Sequence, residues 1–206
     1  AAGRRVVAHK TNYSVASPTV LHKIGLLESF TSYATHGNIS VSRSSVKDWN
    51  EVLRAFIPNN VARIVFMGSG EMMPGIGFVL SPRAMFVSQE SSLDTTENRG
   101  IVNERCWKEG VSSNYADPEK YMRLHDIHFE GLRCDWNIIV RDIWQTLLVS
   151  TFEKGLLQGA PRIRDPVGTL KSLSRDWEAR WRVEDVNGSQ LDVVEDILRG
   201  FYWDRM

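Results

Sequence analysis

Apolar residues recur along this chain with two periods, and the switches between them mark its elements. Arg4 to Thr11 and Asn38 to Ser42 alternate apolar and polar positions as half-buried strands do. Val20, Leu21, Ile24 and Leu27 recur at helical spacing behind Ser17-Pro18, an N-cap residue followed by proline at the first helical position. Ser45-Val46-Lys47-Asp48 resembles a capping box and opens a second helix over Trp49, Val52, Leu53 and Phe56, which Pro58-Asn59-Asn60 is expected to end. Arg63 to Met67 and Ile76 to Leu80 read as two short strands rich in Val, Ile and Phe. Leu132 to Val140 reads as another strand and Ile143 to Phe152 as a short helix. Trp177 to Val183 is expected to contain a strand, and Ser189-Gln190-Leu191 to start a last helix over Val193, Val194, Ile197 and Leu198.

Between the strands at 63–67 and 76–80 lies a glycine cluster, Gly68-Ser69-Gly70 to Gly75. A dinucleotide fingerprint would need glycine where Met73 stands, a phosphate loop would need a Gly-Lys-Ser/Thr ending, and both need a following helix. The cluster is therefore predicted to connect a hairpin. Residues 86–128 shift to Ser, Thr, Asn, Asp and Glu with weak periodicity, and read as an insertion or elaboration outside the core sheet. Strands and helices mix without regular alternation, which argues against a doubly wound parallel sheet. The expected class is α+β, one domain over 1–206, an open curved sheet or small β-barrel of about six strands flanked by helices.

Composition narrows the function classes. The chain is 42% hydrophobic, enough for a packed core, and no apolar run is long enough to span a membrane. Its two cysteines, Cys106 and Cys134, form no disulfide framework, which favours an intracellular setting, nucleus or cytoplasm. Net charge is zero, but residues 1–64 carry +5, residues 65–130 carry −4, and 162–182 carry +3. Two basic regions separated by an acidic one can converge in space or remain solvated surface.

Candidate chemistry is sparse. His125-Asp126-Ile127-His128 offers two imidazoles three residues apart, yet no Cys-Xaa-Xaa-Cys pair accompanies them, so surface or structural histidines are favoured over a metal site. No Gly-Xaa-Ser-Xaa-Gly elbow is present, and Glu184-Asp185 and Glu195-Asp196 read as solvated surface. No nucleophile is paired with a base, so neither enzyme activity, a cofactor nor a metal is expected. Among the seven tryptophans, Trp136 is expected in the core, Trp49 and Trp144 on packed helix faces, and Trp107, in a polar stretch, as a candidate for binding.

The order of elements resembles a YTH domain, an RNA-binding module of the PUA-like superfold. The resemblance rests on Val7 to Asn12, His22 to Leu27, Phe56 with Arg63 to Phe66, Gly75 to Leu80, Cys134-Asp135-Trp136, Ile163-Arg164-Asp165 and Leu191 to Arg199. It implies a YTH-type module binding single-stranded RNA through Lys10, Asn12, Leu27, Trp107, Arg164 and Asp165. Asn12 would meet a base, and Arg164, held by Asp165, a phosphate. Leu27 would fall where the family has a cage tryptophan, leaving an incomplete aromatic cage for N6-methyladenosine, with Trp107 as the available second wall. The alternative is a divergent YTH-like domain that serves as a protein-interaction subunit of a ribonucleoprotein complex.

Overall fold

The computed structural model describes residues 13–15, 30–32, 34–73, 75–95, 97–105, 117, 119–132 and 134–206. A short antiparallel pair, β1 (Tyr13–Val15) with β2 (Phe30–Ser32), precedes the main sheet. That sheet is built from β3 (Ala34–Ser42), β6 (Val87–Ser92), β7 (Arg99–Asn103) and β8 (Tyr121–Glu130), in the order β3-β8-β7-β6. β8 runs antiparallel to both neighbours, whereas β6 and β7 are parallel. β4 (Glu71–Met73) with β5 (Gly77–Val79), and β9 (Arg182–Glu184) with β10 (Gln190–Asp192), form two further hairpins. The main sheet is thus open and mixed, with edges at β3 and β6, and the expected YTH/PUA-like barrel is not formed.

Besides three short 3-10 segments, four α-helices and one π-helix among the described residues pack around it. They are α1 (Trp49–Ala62), α2 (Ile64–Met67), α3 (Asp135–Glu153), α4 (Pro166–Arg175) and α5 (Val193–Tyr202). Asp48 caps α1 by accepting the Glu51 N–H, and Asp192 caps α5 by accepting the N–H groups of Val194 and Glu195. One face of the sheet, with Val41, Ile101, Met122 and Leu124, lies beneath Val52 and Phe56 of α1, Leu148 and Phe152 of α3, and Ile197 and Tyr202 of α5. Phe56 and Phe152 meet edge to face with ring centroids 5.3 Å apart.

Several sequence expectations are corrected here. Pro58 does not end α1, although its ring removes a donor and crowds the preceding turn. The buried Tyr202 hydroxyl of α5 lies between the Asn59 N–H, which it accepts at 3.1 Å, and the Ala55 carbonyl, to which it donates at 2.7 Å. It satisfies the backbone that the proline disturbs, and the helix continues to Ala62. Residues 64–67 are helical, so the hairpin is confined to 71–79, with Gly75 and Gly77 at φ of 75° and 98°.

The stretch 86–128 supplies β6, β7 and most of β8 and does not lie outside the core sheet. Gly100, Ile101 and Val102 are all buried, so β7 lacks the alternation of a one-sided strand. Residues 135–140 begin α3 where a strand was predicted. Trp144, Leu148 and Phe152 bury one face of that helix at four-residue spacing, and Trp136, expected in the core, is 68% exposed on it. The last helix begins at Val193, after β10. No helix among the described residues is long and apolar enough to cross a membrane.

Candidate functional site

The register of β3 on β8 separates two faces. Ile39 and Val41 lie opposite Leu124 and Met122, on the face covered by helices, while Asn38 lies opposite His125 and Ser40 opposite Arg123. Because side chains alternate along a strand, this second set shares the other, more open face of the sheet, where Asn38 and Ser40 are exposed and His125 is buried. Asn103 of β7 is the ladder partner of His125 and extends the set across three strands. The register shifts between Thr35 and Gly37, and beside this irregularity His36 turns onto His125. Their Nδ1 and Nε2 atoms are 3.2 Å apart and their ring centroids 5.1 Å apart.

A buried ion pair underlies the two histidines. Arg63, at the end of α1, reaches Asp126 Oδ2 at 3.0 Å and Oδ1 at 3.1 Å, with both side chains at most 2% exposed. Gln145 of α3 closes the triangle, accepting from Arg63 Nη1 and donating to Asp126 Oδ2, each at 3.0 Å. Every polar partner in this cluster is matched, which a buried pair needs to offset its desolvation. Asp126 is the immediate neighbour of His125, so the triangle fixes the β8 backbone that carries the imidazole. Arg83, also buried, donates from Nε to the Ile127 carbonyl at 3.1 Å and fixes the next peptide.

Burial lowers the pKa of His125 to about 4, and the positive charge of Arg123 adds to this, followed by smaller effects of His36 and Arg105, with Asp126 opposing. His36 is lowered for the same reasons, burial first, then Arg83 and Arg123. Both imidazoles are therefore neutral near pH 7, and one donates to the other. His125 Nδ1 is buried without a hydrogen-bond partner among the described residues. Two linked neutral imidazoles can relay a proton, and the arginine guanidinium groups around them favour a phosphate or a developing oxyanion.

Of the residues singled out from sequence, the two that are described, Arg164 and Asp165, fall elsewhere. Lys10, Asn12, Leu27 and Trp107 lie outside the described residues. Asp165 caps α4 by accepting the Gly168 N–H at 2.9 Å and does not hold Arg164. Arg164 instead pairs with Glu184 of β9, Nη1 to Oε1 at 2.6 Å, in a half-exposed bridge. Both stand at the turn into α4, which packs on α1 on the helix-covered side. Cys134 is a free, exposed thiol, and among the described residues no group of three or more His, Cys, Asp or Glu gathers to hold a metal. His36, Asn38, Ser40 and Arg123 were missed, although the polar stripes of Ala34 to Ser42 and Tyr121 to His125 were legible as one face of two strands.

Residues 1–203 match the family model described as Pup-ligase protein. A depupylase of Acidothermus cellulolyticus is 31% identical over 203 residues, which are 94% of this chain and 39% of that protein. A Pup deamidase/depupylase of Mycolicibacterium smegmatis is 29% identical over all of this chain and 41% of its own, and a Pup–protein ligase of a Nocardioides species is 26% identical over 89% of this chain. The chain thus spans about two fifths of the length of these relatives. Among solved structures, the Pup ligase PafA in complex with ADP superposes with a TM-score of 0.69 at 18% identity over 94% of this chain and 39% of that one. The complex of Pup with PafA gives 0.66 at 19% identity over 85% and 34%.

These findings overturn the YTH resemblance and, with it, the RNA-binding, non-enzyme reading and the RNA and ribonucleoprotein partners. The fold is that of PafA, the relatives are enzymes rather than binding modules, and their names and titles involve Pup, protein and ADP in place of RNA and a ribonucleoprotein complex.

Proposed function

The chain belongs to the Pup-ligase protein family, and on that premise we propose that it forms part of an enzyme acting on the link between Pup and a protein, with removal of Pup as the reaction. The open face of the main sheet carries this reading. It sets two neutral imidazoles beside Arg123 and Arg105, the donor set that amide cleavage needs for moving a proton and stabilising the oxyanion. His36, at the rim of the pair, is the proton carrier, and His125 behind it holds its tautomer. The ADP complex of the similar fold makes a nucleotide the natural companion of such a site. Its phosphates, when bound, would meet Arg123 and Arg105, whose charge already presses on His125. Removal is favoured over joining because the relatives near 30% identity are a depupylase and a Pup deamidase/depupylase. An exposed free thiol at Cys134 suits the reducing intracellular setting this reading carries.

The experiment incubates the full-length protein with a Pup-conjugated protein and ATP and follows free Pup on gels. The reading requires release of Pup and a large loss of that release in His36→Ala and Arg123→Ala, with melting temperatures held. Accumulation of new conjugate would assign joining instead, and neither reaction would end the proposal.

A further inference from the structure

Where β7 ends, one buried amide stands between His125 and Arg105. Asn103 is 1% exposed and is the ladder partner of His125 on β8. Its Oδ1 accepts the backbone N–H of Arg105 at 3.1 Å, the two-residue reach of an Asx-turn. Its Nδ2 donates to the carbonyls of Leu93 and Asp94, on the connection from β6, at 3.4 Å each. The amide is thus satisfied at both ends, as its burial requires.

The three bonds are not equivalent. Side chains of its own already hold the connection between β6 and β7. The Ser92 hydroxyl accepts the Asp94 N–H at 3.0 Å, and Asp94 Oδ2 accepts the N–H groups of Asn98 and Glu97 at 3.0 and 3.3 Å. Asn103 adds two long contacts to that loop, and its short bond goes to Arg105. The preceding Ile101 and Val102 are buried and apolar, and a third apolar residue would fill the position at lower cost if packing were all it did. Asn103 instead turns the chain so that an exposed arginine follows the strand position that faces His125. Burial and Arg123 lower the His125 pKa most, and Arg105 adds to them, so its charge acts on that ring.

We propose that Asn103 is a positioning residue for the open-face site: by closing the turn at the end of β7 it aims the Arg105 guanidinium at the imidazole pair. This role presupposes the Pup-removing reaction proposed above, in which Arg105 meets the anion. Asn103 itself touches neither substrate nor the reacting atoms.

Amide hydrogen exchange, followed by NMR on the full-length protein, should find the Arg105 N–H protected in wild type and released in Asn103→Ala. With ring-labelled histidine, the His125 pKa should rise from about 4 in both Arg105→Ala and Asn103→Ala. In the Pup-release assay, Asn103→Ala should lower kcat about tenfold or more, but less than about twofold once Arg105 is already alanine. Asp94→Ala strips the loop of its own bonds and leaves the Arg105 N–H to Asn103, so it should not reproduce the pKa rise. Asn103→Ser, whose hydroxyl closes the same turn more weakly, should show the same changes at smaller size, and it replaces the alanine variant if that fails to fold. An Arg105 amide that exchanges freely in wild type, a His125 pKa unmoved in the Asn103 variants, or equal losses of kcat in the two backgrounds would each overturn the proposal. Exchange and titration involve no reaction, so a wild type that releases no Pup counts against the proposed reaction, and those two measurements then decide whether Asn103 places Arg105.

Discussion

Replacing Arg63 with methionine removes the cation of the buried triangle and leaves Asp126 in place. The Asp126 side chain is 2% exposed, and its oxygens are held by Arg63 at 3.0 and 3.1 Å and by Gln145 at 3.0 Å. With the guanidinium gone, the carboxylate loses its charged partner in a place that water scarcely reaches. Breaking one side of a buried pair costs about 3–5 kcal/mol, a large share of a domain's stability of roughly 5–15 kcal/mol. At about 2–4 °C per kcal/mol for a domain of this size, Arg63→Met should lower the melting temperature by roughly 6–20 °C. The double variant Arg63→Met/Asp126→Leu removes both charges and leaves neutral groups such as the Gln145 amide to lose a partner, for a loss of about 1–3 kcal/mol. Removing a second native residue should therefore restore stability. The assay is urea unfolding of wild type, both single variants and the double, with midpoint and slope compared. A single-variant loss below about 1 kcal/mol, or a double variant as damaged as the sum of the singles, would refute the view that charge burial dominates here.

The His125 ring should titrate by NMR at about 4, and an apparent pKa near its ordinary 6.5 would show that burial and Arg123 do not act as described. Because its folded pKa is depressed, its contribution to stability is full above pH 6.5 and lost as pH falls from there through about 4; His125→Phe should flatten that part of the stability profile. Tyr202→Phe strips the hydroxyl that bridges Asn59 and Ala55 beside Pro58, for an expected loss of about 1–3 kcal/mol in denaturant unfolding; no loss would mean α1 tolerates Pro58 unaided. Gly100→Ala would put its Cβ 2.6 Å from both the Ser92 nitrogen and the Val102 carbonyl oxygen, so an expected cost of about 1–3 kcal/mol is checked by thermal melting, with a neutral result showing that β6 and β7 can part.

Local signals told the most where the neighbouring residues themselves provide the partner. The helix over Trp49 to Phe56 was legible from its spacing, but the box Ser45 to Asp48 put its cap at Ser45, whereas Asp48 is the N-cap and accepts the Glu51 N–H. The strand over Asn38 to Ser42 was legible from its alternation and is part of β3. Where burial on both sides or a distant group decides, the pattern misled. Gly100 to Val102 has no polar face, so a central strand looked like part of an irregular insertion. Leu132 to Val140 carries enough apolar residues for a strand, and only the continuation through Trp144, Leu148 and Phe152 onto the core makes it a helix. Pro58 lies within α1 because a hydroxyl 144 positions along the chain is there to receive the disturbed backbone.

The family resemblance failed for a related reason. Short apolar strings in a given order recur in many α+β folds, and order alone does not state which strands pair. The site shows the same division. The alternating polar positions His36, Asn38 and Ser40 and the cluster at His125 are visible in the sequence, but nothing local says that they face each other. His36 and His125 are 89 residues apart, and their contact exists only through the β3–β8 register. The lowered His125 pKa likewise depends on burial and on Arg123, Arg105 and His36, drawn to one face by the sheet. Period and caps are written in bonds between near neighbours, whereas a pKa and a proton relay arise from desolvation and charge summed over whatever the tertiary fold brings within a few ångströms.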